Sequence, residues 1–124
     1  MELKVLVAES SKQVRKNITR SLKEMGVATV VEAASTEQAI EMFQKGTYDV
    51  IFAEWNTQIG VGEELLKTFR KMDVNVPIIV TAPQSKNVAE LKKNCPSASS
   101  YLTTPFTTEQ LRTTVAQYVP SIAG

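Results

Sequence analysis

Two glutamates, Glu9 and Glu54, each follow a short apolar run, Leu3–Ala8 and Tyr48–Ala53. Ser10 stands directly after the first, and Asn56 stands two positions after the second. Carboxylates brought together in this way can hold a hard divalent cation. They can also divide acid and base duties when their surroundings split their pKa values. Two hydroxyls occupy comparable places: Thr81 closes the run Val76–Thr81, and Thr104 follows Ser100–Thr103. The chain has no histidine and one cysteine, Cys95, followed by Pro96. This makes a zinc site or a Cys-His nucleophile implausible, and Cys95 reads as a small, partly buried side chain.

These residues need a scaffold that gathers them. Five apolar runs (Leu3–Ala8, Thr29–Ala33, Tyr48–Ala53, Val76–Thr81 and Ser100–Thr103) alternate with five amphipathic stretches. That alternation predicts a parallel sheet covered by helices on both faces. Val14, Ile18, Leu22 and Met25 make the apolar face of the first helix, which Gly26 ends. Ser35 with Gln38 has the spacing of a capping box and opens a second helix that buries Ala39, Ile40 and Phe43. Leu65, Leu66, Phe69 and Met72 mark the third. Val88 and Leu91 give the fourth, Asn87 to Asn94, a thin apolar stripe. Thr107 and Gln110 repeat the capping pattern before Leu111, Val115 and Tyr118 of the fifth. Right-handed crossovers leave the strand C-termini on one edge, where Glu9, Ser10, Glu54, Asn56, Thr81 and Thr104 should converge.

From Val5-Leu6-Val7 through Glu54-Trp55-Asn56, Pro77–Ala82 and Tyr101–Phe106, the chain resembles response regulator receiver domains over nearly its whole length. The resemblance implies a three-layer, doubly wound α/β fold, flavodoxin-like and CheY-like, with a five-stranded parallel sheet of order 2-1-3-4-5. It also implies a bacterial two-component phosphorelay module whose site is degenerate. The family has an acidic pair after strand one, a phosphoaccepting aspartate after strand three, a hydroxyl after strand four and a lysine before proline after strand five. Here those places read Glu9-Ser10, Glu54, Thr81 and Thr104. Asn56 matches the position whose carbonyl binds the family's metal, and Tyr101 matches its switch aromatic. The Thr104-Pro105 bond matches a peptide that is cis in the family, and Trp55 falls beside the site. The loop Thr57–Val61 departs from the family pattern, and Gly62 with Leu65-Leu66 returns to it.

The substitutions predict an atypical, phosphorylation-independent receiver that is not an enzyme. Losing a ligand carboxylate at Ser10 predicts weak or absent Mg2+ binding, with Glu9, Glu54 and Asn56 as the only weak candidates and no other cofactor. Losing the lysine at Thr104 removes a countercharge for phosphoryl oxygens. Glu9 and Glu54 carry two readings, solvated carboxylates at strand ends or a retained signalling role. Thr81 likewise reads as a strand-end hydroxyl or a switch residue, and Tyr101 as a half-buried strand tyrosine or a switch.

Composition limits the alternatives. With 124 residues, 43% of them hydrophobic and 22% charged, the chain fits one domain, drawn at residues 1–119 with a tail or linker start at 120–124. Apolar runs are strand-length, so no membrane span and no secretory leader is expected, which predicts a cytoplasmic protein. A net charge of +1, with basic residues spread along the helices, predicts no nucleic-acid binding. The expected partners are proteins (a sensor kinase, an output domain or another signalling protein, with a second copy as a further candidate) on the face of helix four, strand five and helix five. Competing readings are a conventional phosphorylated receiver, a small acid/base enzyme using Glu9 and Glu54, and a flavin-binding module. The last is disfavoured because Glu9 would repel a phosphate where a phosphate-cradling loop is needed.

Overall fold

Successive residues of a strand point to opposite faces of a sheet, and this chain fills both faces with apolar side chains. Val5, Val7, Phe52 and Ile79 face one layer, and Leu6, Ala8, Ile51, Ala53, Ile78 and Val80 face the other. Strands buried on both sides need helices on both sides. The computed structural model describes residues 2–55, 62–83 and 87–123. It contains β1 (Lys4–Ala8), α1 (Lys12–Glu24), β2 (Thr29–Ala33), α2 (Thr36–Gln44), β3 (Val50–Glu54), α3 (Gly62–Met72), β4 (Ile78–Pro83), α4 (Val88–Asn94), β5 (Ser100–Thr104) and α5 (Thr108–Ala116). The five strands are all parallel, in the order β2-β1-β3-β4-β5, as expected. Ile18 and Leu22 of α1 and Leu111 and Val115 of α5 pack on one face. Ala39 and Phe43 of α2, Leu65, Leu66 and Phe69 of α3, and Cys95 after α4 pack on the other.

Local chemistry sets the element ends. Ser11 caps α1 by accepting from the Val14 N–H, and Gly26, at φ 94°, supplies the left-handed residue that ends it. Thr107 and Gln110 form the full reciprocal capping box. At α2 the Ser35 hydroxyl accepts from Gln38 N–H as expected, but the Gln38 side chain accepts from Ala34 N–H rather than from Ser35. Strands β3 and β4 begin two residues later than the apolar runs suggest. Asp49 turns its carboxylate to the Lys4 N–H, and Pro77 has no N–H to give to the ladder.

Three burial expectations fail. Met72 is 39% exposed and Val88 44% exposed, because each lies at a helix end beyond the reach of the sheet; Ile40 is only partly buried. Pro120–Ala123 makes a 3-10 turn, and Ile122 is buried in the same cluster as Leu111 and Val115.

Candidate functional site

Glu9 leaves β1 while its backbone is still paired, its N–H donating to Ala33 O at 3.0 Å. Glu54 is the last residue of β3 and lies directly beside Thr81 of β4 in the register, and the following Trp55 N–H donates to Thr81 O at 2.8 Å. Parallel register thus brings Glu9, Glu54, Thr81 and Thr104 to a cleft of about 200 Å³, also lined by Ser11, Val14 and Trp55. Ser10 does not line the cleft, but its N–H donates to Glu54 Oε1 at 2.9 Å. Asn56 and the loop Thr57–Val61 lie outside the described residues.

Of the two readings of Glu9, the solvated strand-end carboxylate does not match its burial, since the residue is only 6% exposed. Its Oε2 accepts from Ser11 N–H at 3.0 Å, and its Oε1 sits 3.5 Å from the Thr81 hydroxyl. Its pKa is pushed up to about 8, first by burial, then by the hydrogen bond with the Glu54 side chain. The Ser11 N–H pulls it back, the negative charge of Glu54 pushes it up again, and the Thr81 hydroxyl lowers it slightly. Burial and the neighbouring Glu54 thus favour the protonated form of Glu9, whose carboxyl hydrogen-bonds the Glu54 side chain.

Thr81 is 2% exposed, with its hydroxyl turned to Glu9. Thr104 turns its hydroxyl to Ala82 O at 3.4 Å, and the Thr104-Pro105 peptide is cis, as the resemblance implied. Tyr101 is not in the cleft. Its ring packs in the apolar layer under α4, and its hydroxyl donates to Cys95 O at 2.7 Å. Cys95 is buried, and burial pushes its thiol up to about 11. Trp55 is half-buried against the same layer rather than projecting from a loop.

Among the described residues the cleft offers a hard dication two carboxylates, Glu9 and Glu54. Magnesium prefers several oxygen anions in octahedral geometry. Here position 10 is a serine, and among the described residues no three acidic, His or Cys side chains gather closely enough to bind an ion.

Two residues of this region carry more than their sequence positions suggested. Ser11 serves both as the α1 cap and as donor to Glu9, and a Ser one residue before a basic amphipathic stretch was a legible cap signal. Arg15 donates through Nη1 to Glu9 O at 2.8 Å and through Nε to Glu32 at 3.0 Å, tying α1 to the ends of β1 and β2. No local pattern announces that bridge, because its partners lie 6 and 17 residues away.

Similarity to known proteins follows the same outline. The chain is 21% identical to chemotaxis protein CheY of Pseudomonas aeruginosa over 98% of its own length and 100% of that protein. It superimposes on the receiver domain of the Francisella response regulator 1452 with a TM-score of 0.82 and 27% identity, covering 97% of this chain and 98% of that one. With Vibrio cholerae CheY4 the TM-score is 0.85 and the identity 26%, over 95% and 99% of the two chains. Residues 5–116 match the response regulator receiver domain, and the chain belongs to that family of two-component signalling modules.

Proposed function

We propose that this receiver signals through protein contacts without being phosphorylated, and that Glu54 is a standing carboxylate where the family phosphorylates an aspartate. The observation that carries the proposal is the engagement of Glu54 itself: one oxygen accepts the Ser10 N–H at 2.9 Å, and the side chain is hydrogen-bonded to that of Glu9. A nucleophile needs a free lone pair, an in-line approach and a cation for the phosphoryl oxygens. Thr104 supplies no charge, and the acidic pair is reduced to one glutamate. Glu54 imitates a phosphorylated aspartate only in part, with one charge and two acceptor oxygens against about −1.5 to −2 and three.

Mg2+ binding is weak or absent on this reading, and no other cofactor is needed. Receiver domains work with protein partners such as kinases and output domains, and this one presents α4, β5 and α5 to its partner, with self-association as an alternative use of that face. The domain acts in the cytoplasm of a bacterium. No helix among the described residues is long and apolar enough to cross a membrane.

One observation favours an acid/base enzyme: the raised pKa of Glu9 beside a second carboxylate is the arrangement such chemistry uses. The cleft, at about 200 Å³, is smaller than the roughly 300–1,000 Å³ of sites that enclose a small molecule, so the domain is read as a non-enzyme.

Treatment with acetyl phosphate and magnesium followed by intact mass tests the proposal. The native chain should stay unmodified. The combined variant Ser10→Asp, Glu54→Asp, Thr104→Lys should gain one phosphoryl group, and each single change should gain little, because the three groups act as a unit. Phosphorylation of the native chain at Glu54 would overturn the reading.

A further inference from the structure

An open sheet leaves backbone groups unpaired along its two outer strands, here β2 and β5. Alternate residues of a strand send their N–H and C=O groups to opposite sides. Thr29 N–H donates to Leu3 O, and Ala33 O accepts from Glu9 N–H, so Thr29, Val31 and Ala33 are turned to β1. Val30 and Glu32 therefore turn their N–H and C=O groups outward, where no strand pairs them among the described residues. Folded proteins guard such edges with lysine, proline or a bulge. Strand β2, Thr29-Val30-Val31-Glu32-Ala33, carries neither lysine nor proline and runs in unbroken register with β1. Its one charge, Glu32, is held by Arg15 and Lys16. Val30 and Val31 are only partly buried. Strand β5, by contrast, is followed at once by Pro105.

We infer that the outer edge of β2 takes an extended segment of a partner protein as a sixth strand, one whose side chains alternate between acidic and apolar. Unpaired backbone donors and acceptors call for another extended backbone. The side chains of an added strand would stand alternately on the α1 side and the α2 side of the sheet. On the α1 side, Lys16 reaches Glu32 at 3.1 Å and Lys23 donates at 3.3 Å to Ala28 O, the outward carbonyl just before the strand. Arg15, Lys16 and Lys23 outnumber Glu32 there, which favours acidic side chains. On the α2 side, Val31 packs only in part against the buried layer, and an apolar side chain would cover it. A second copy of this chain fits less well. Antiparallel pairing of two β2 strands in one continuous sheet would set two α1 helices side by side on the same face, lysines against lysines. The β2 edge lies across the sheet from β5, so this surface is separate from the α4, β5 and α5 face and independent of whether Glu54 is phosphorylated.

Fluorescence anisotropy of a labelled hexapeptide alternating glutamate and valine, titrated with the native chain, tests the inference. The alternating peptide should bind. A copy N-methylated at every residue, which has no backbone donors, should bind about 10-fold more weakly, and three glutamates followed by three valines about 5-fold more weakly. Val30→Pro removes an outward N–H while leaving the donors turned to β1, and should weaken binding by about 10-fold. Ser99 N–H is turned to Ile78 O, so Ser100→Pro is the matching change on β5, and it should alter binding by less than about 2-fold. K16Q with K23Q should weaken binding by about 3-fold. If Val30→Pro fails to fold, the methylated peptide keeps the test. No binding by the native chain, undiminished binding of the methylated or the blocked peptide, or equal losses at Val30 and Ser100 would overturn the inference. So would dimerisation of the peptide-free native chain that Val30→Pro abolishes, which would assign the edge to a second copy.

Discussion

The two edges of the sheet are held in different ways. At the C-terminal edge the Thr81 hydroxyl stands 3.5 Å from Glu9, the Thr104 hydroxyl 3.4 Å from its acceptor, and Glu9 is a buried acid with a raised pKa. At the N-terminal edge, the turn between α4 and β5 is gripped from three elements. Glu63 of α3 accepts from the Ser97 hydroxyl, Tyr101 of β5 donates to Cys95 O, and Tyr118 after α5 donates to Ser99 O, each at 2.7 Å. Arg70 adds bonds to Ser97 O and the Ser99 hydroxyl, both at 3.1 Å, and to the carbonyls of Val74 and Val76. Side-chain hydrogen bonds gather at the edge away from the cleft, and the edge facing the cleft carries the buried acid. Sites that break the local rules of folding are commonly supported from elsewhere in this way.

Arg70→Ala is the most severe way to break the comparison. It leaves several carbonyls at the α3–β4 and α4–β5 turns without donors and should lower stability by about 2–4 kcal/mol in urea unfolding. Arg70→Lys should recover little, because an ammonium cannot reproduce the planar fork. A loss no larger than that of a surface residue would show that the grip is not where stability lies.

Glu9→Gln probes the opposite edge. A carboxyl whose folded pKa, about 8, lies above its unfolded value of 4.5 stabilises the native state fully at low pH, and that stability is lost as pH rises through 8. The native chain should therefore lose about 1–3 kcal/mol between pH 5 and 8.5 from this group. The glutamine variant should give a flatter profile and be the more stable protein at pH 8. A native profile that rises over that interval with no flattening in the variant would refute the buried proton.

Smaller changes sharpen the contrast. Tyr101→Phe keeps the ring in its apolar layer and removes one hydrogen bond, so it should cost about 1 kcal/mol. Amide exchange should speed up around residues 95–99 and stay unchanged at β1. If Tyr101 were instead a switch coupled to Thr81, the effect would reach Thr81 and Glu54, which NMR chemical shifts would report. Lys45→Ala removes an exposed ion pair with Glu41 on α2 and should leave unfolding unchanged. A clear loss there would mean that surface pairs matter more to this domain than either edge.

Periodicity and caps made the scaffold readable. Alternating apolar runs and helical stripes at Ile18/Leu22 and Leu111/Val115 predicted five strands and five helices, and Ser35, Thr107 and Gly26 placed three of the ends within a residue or two. These signals are local, since a cap or a stripe involves residues a few positions apart. The failures at Met72 and Val88 come from the same source: a stripe states which side of a helix is apolar but not how far along it the sheet extends.

The family, the sheet and the residues that stand at positions 10, 54 and 104 can be read along the chain, because each depends on residue type at a recognisable place in the pattern. What surrounds those residues is a matter of the folded molecule. That Glu9 is buried, that Glu54 is tied to Ser10, that Tyr101 holds Cys95 rather than facing the cleft, and that Arg70 fastens two turns all depend on partners 6 to 72 residues distant. Burial and hydrogen-bond geometry set pKa and reach, and both are properties of packing that no spacing along the chain encodes.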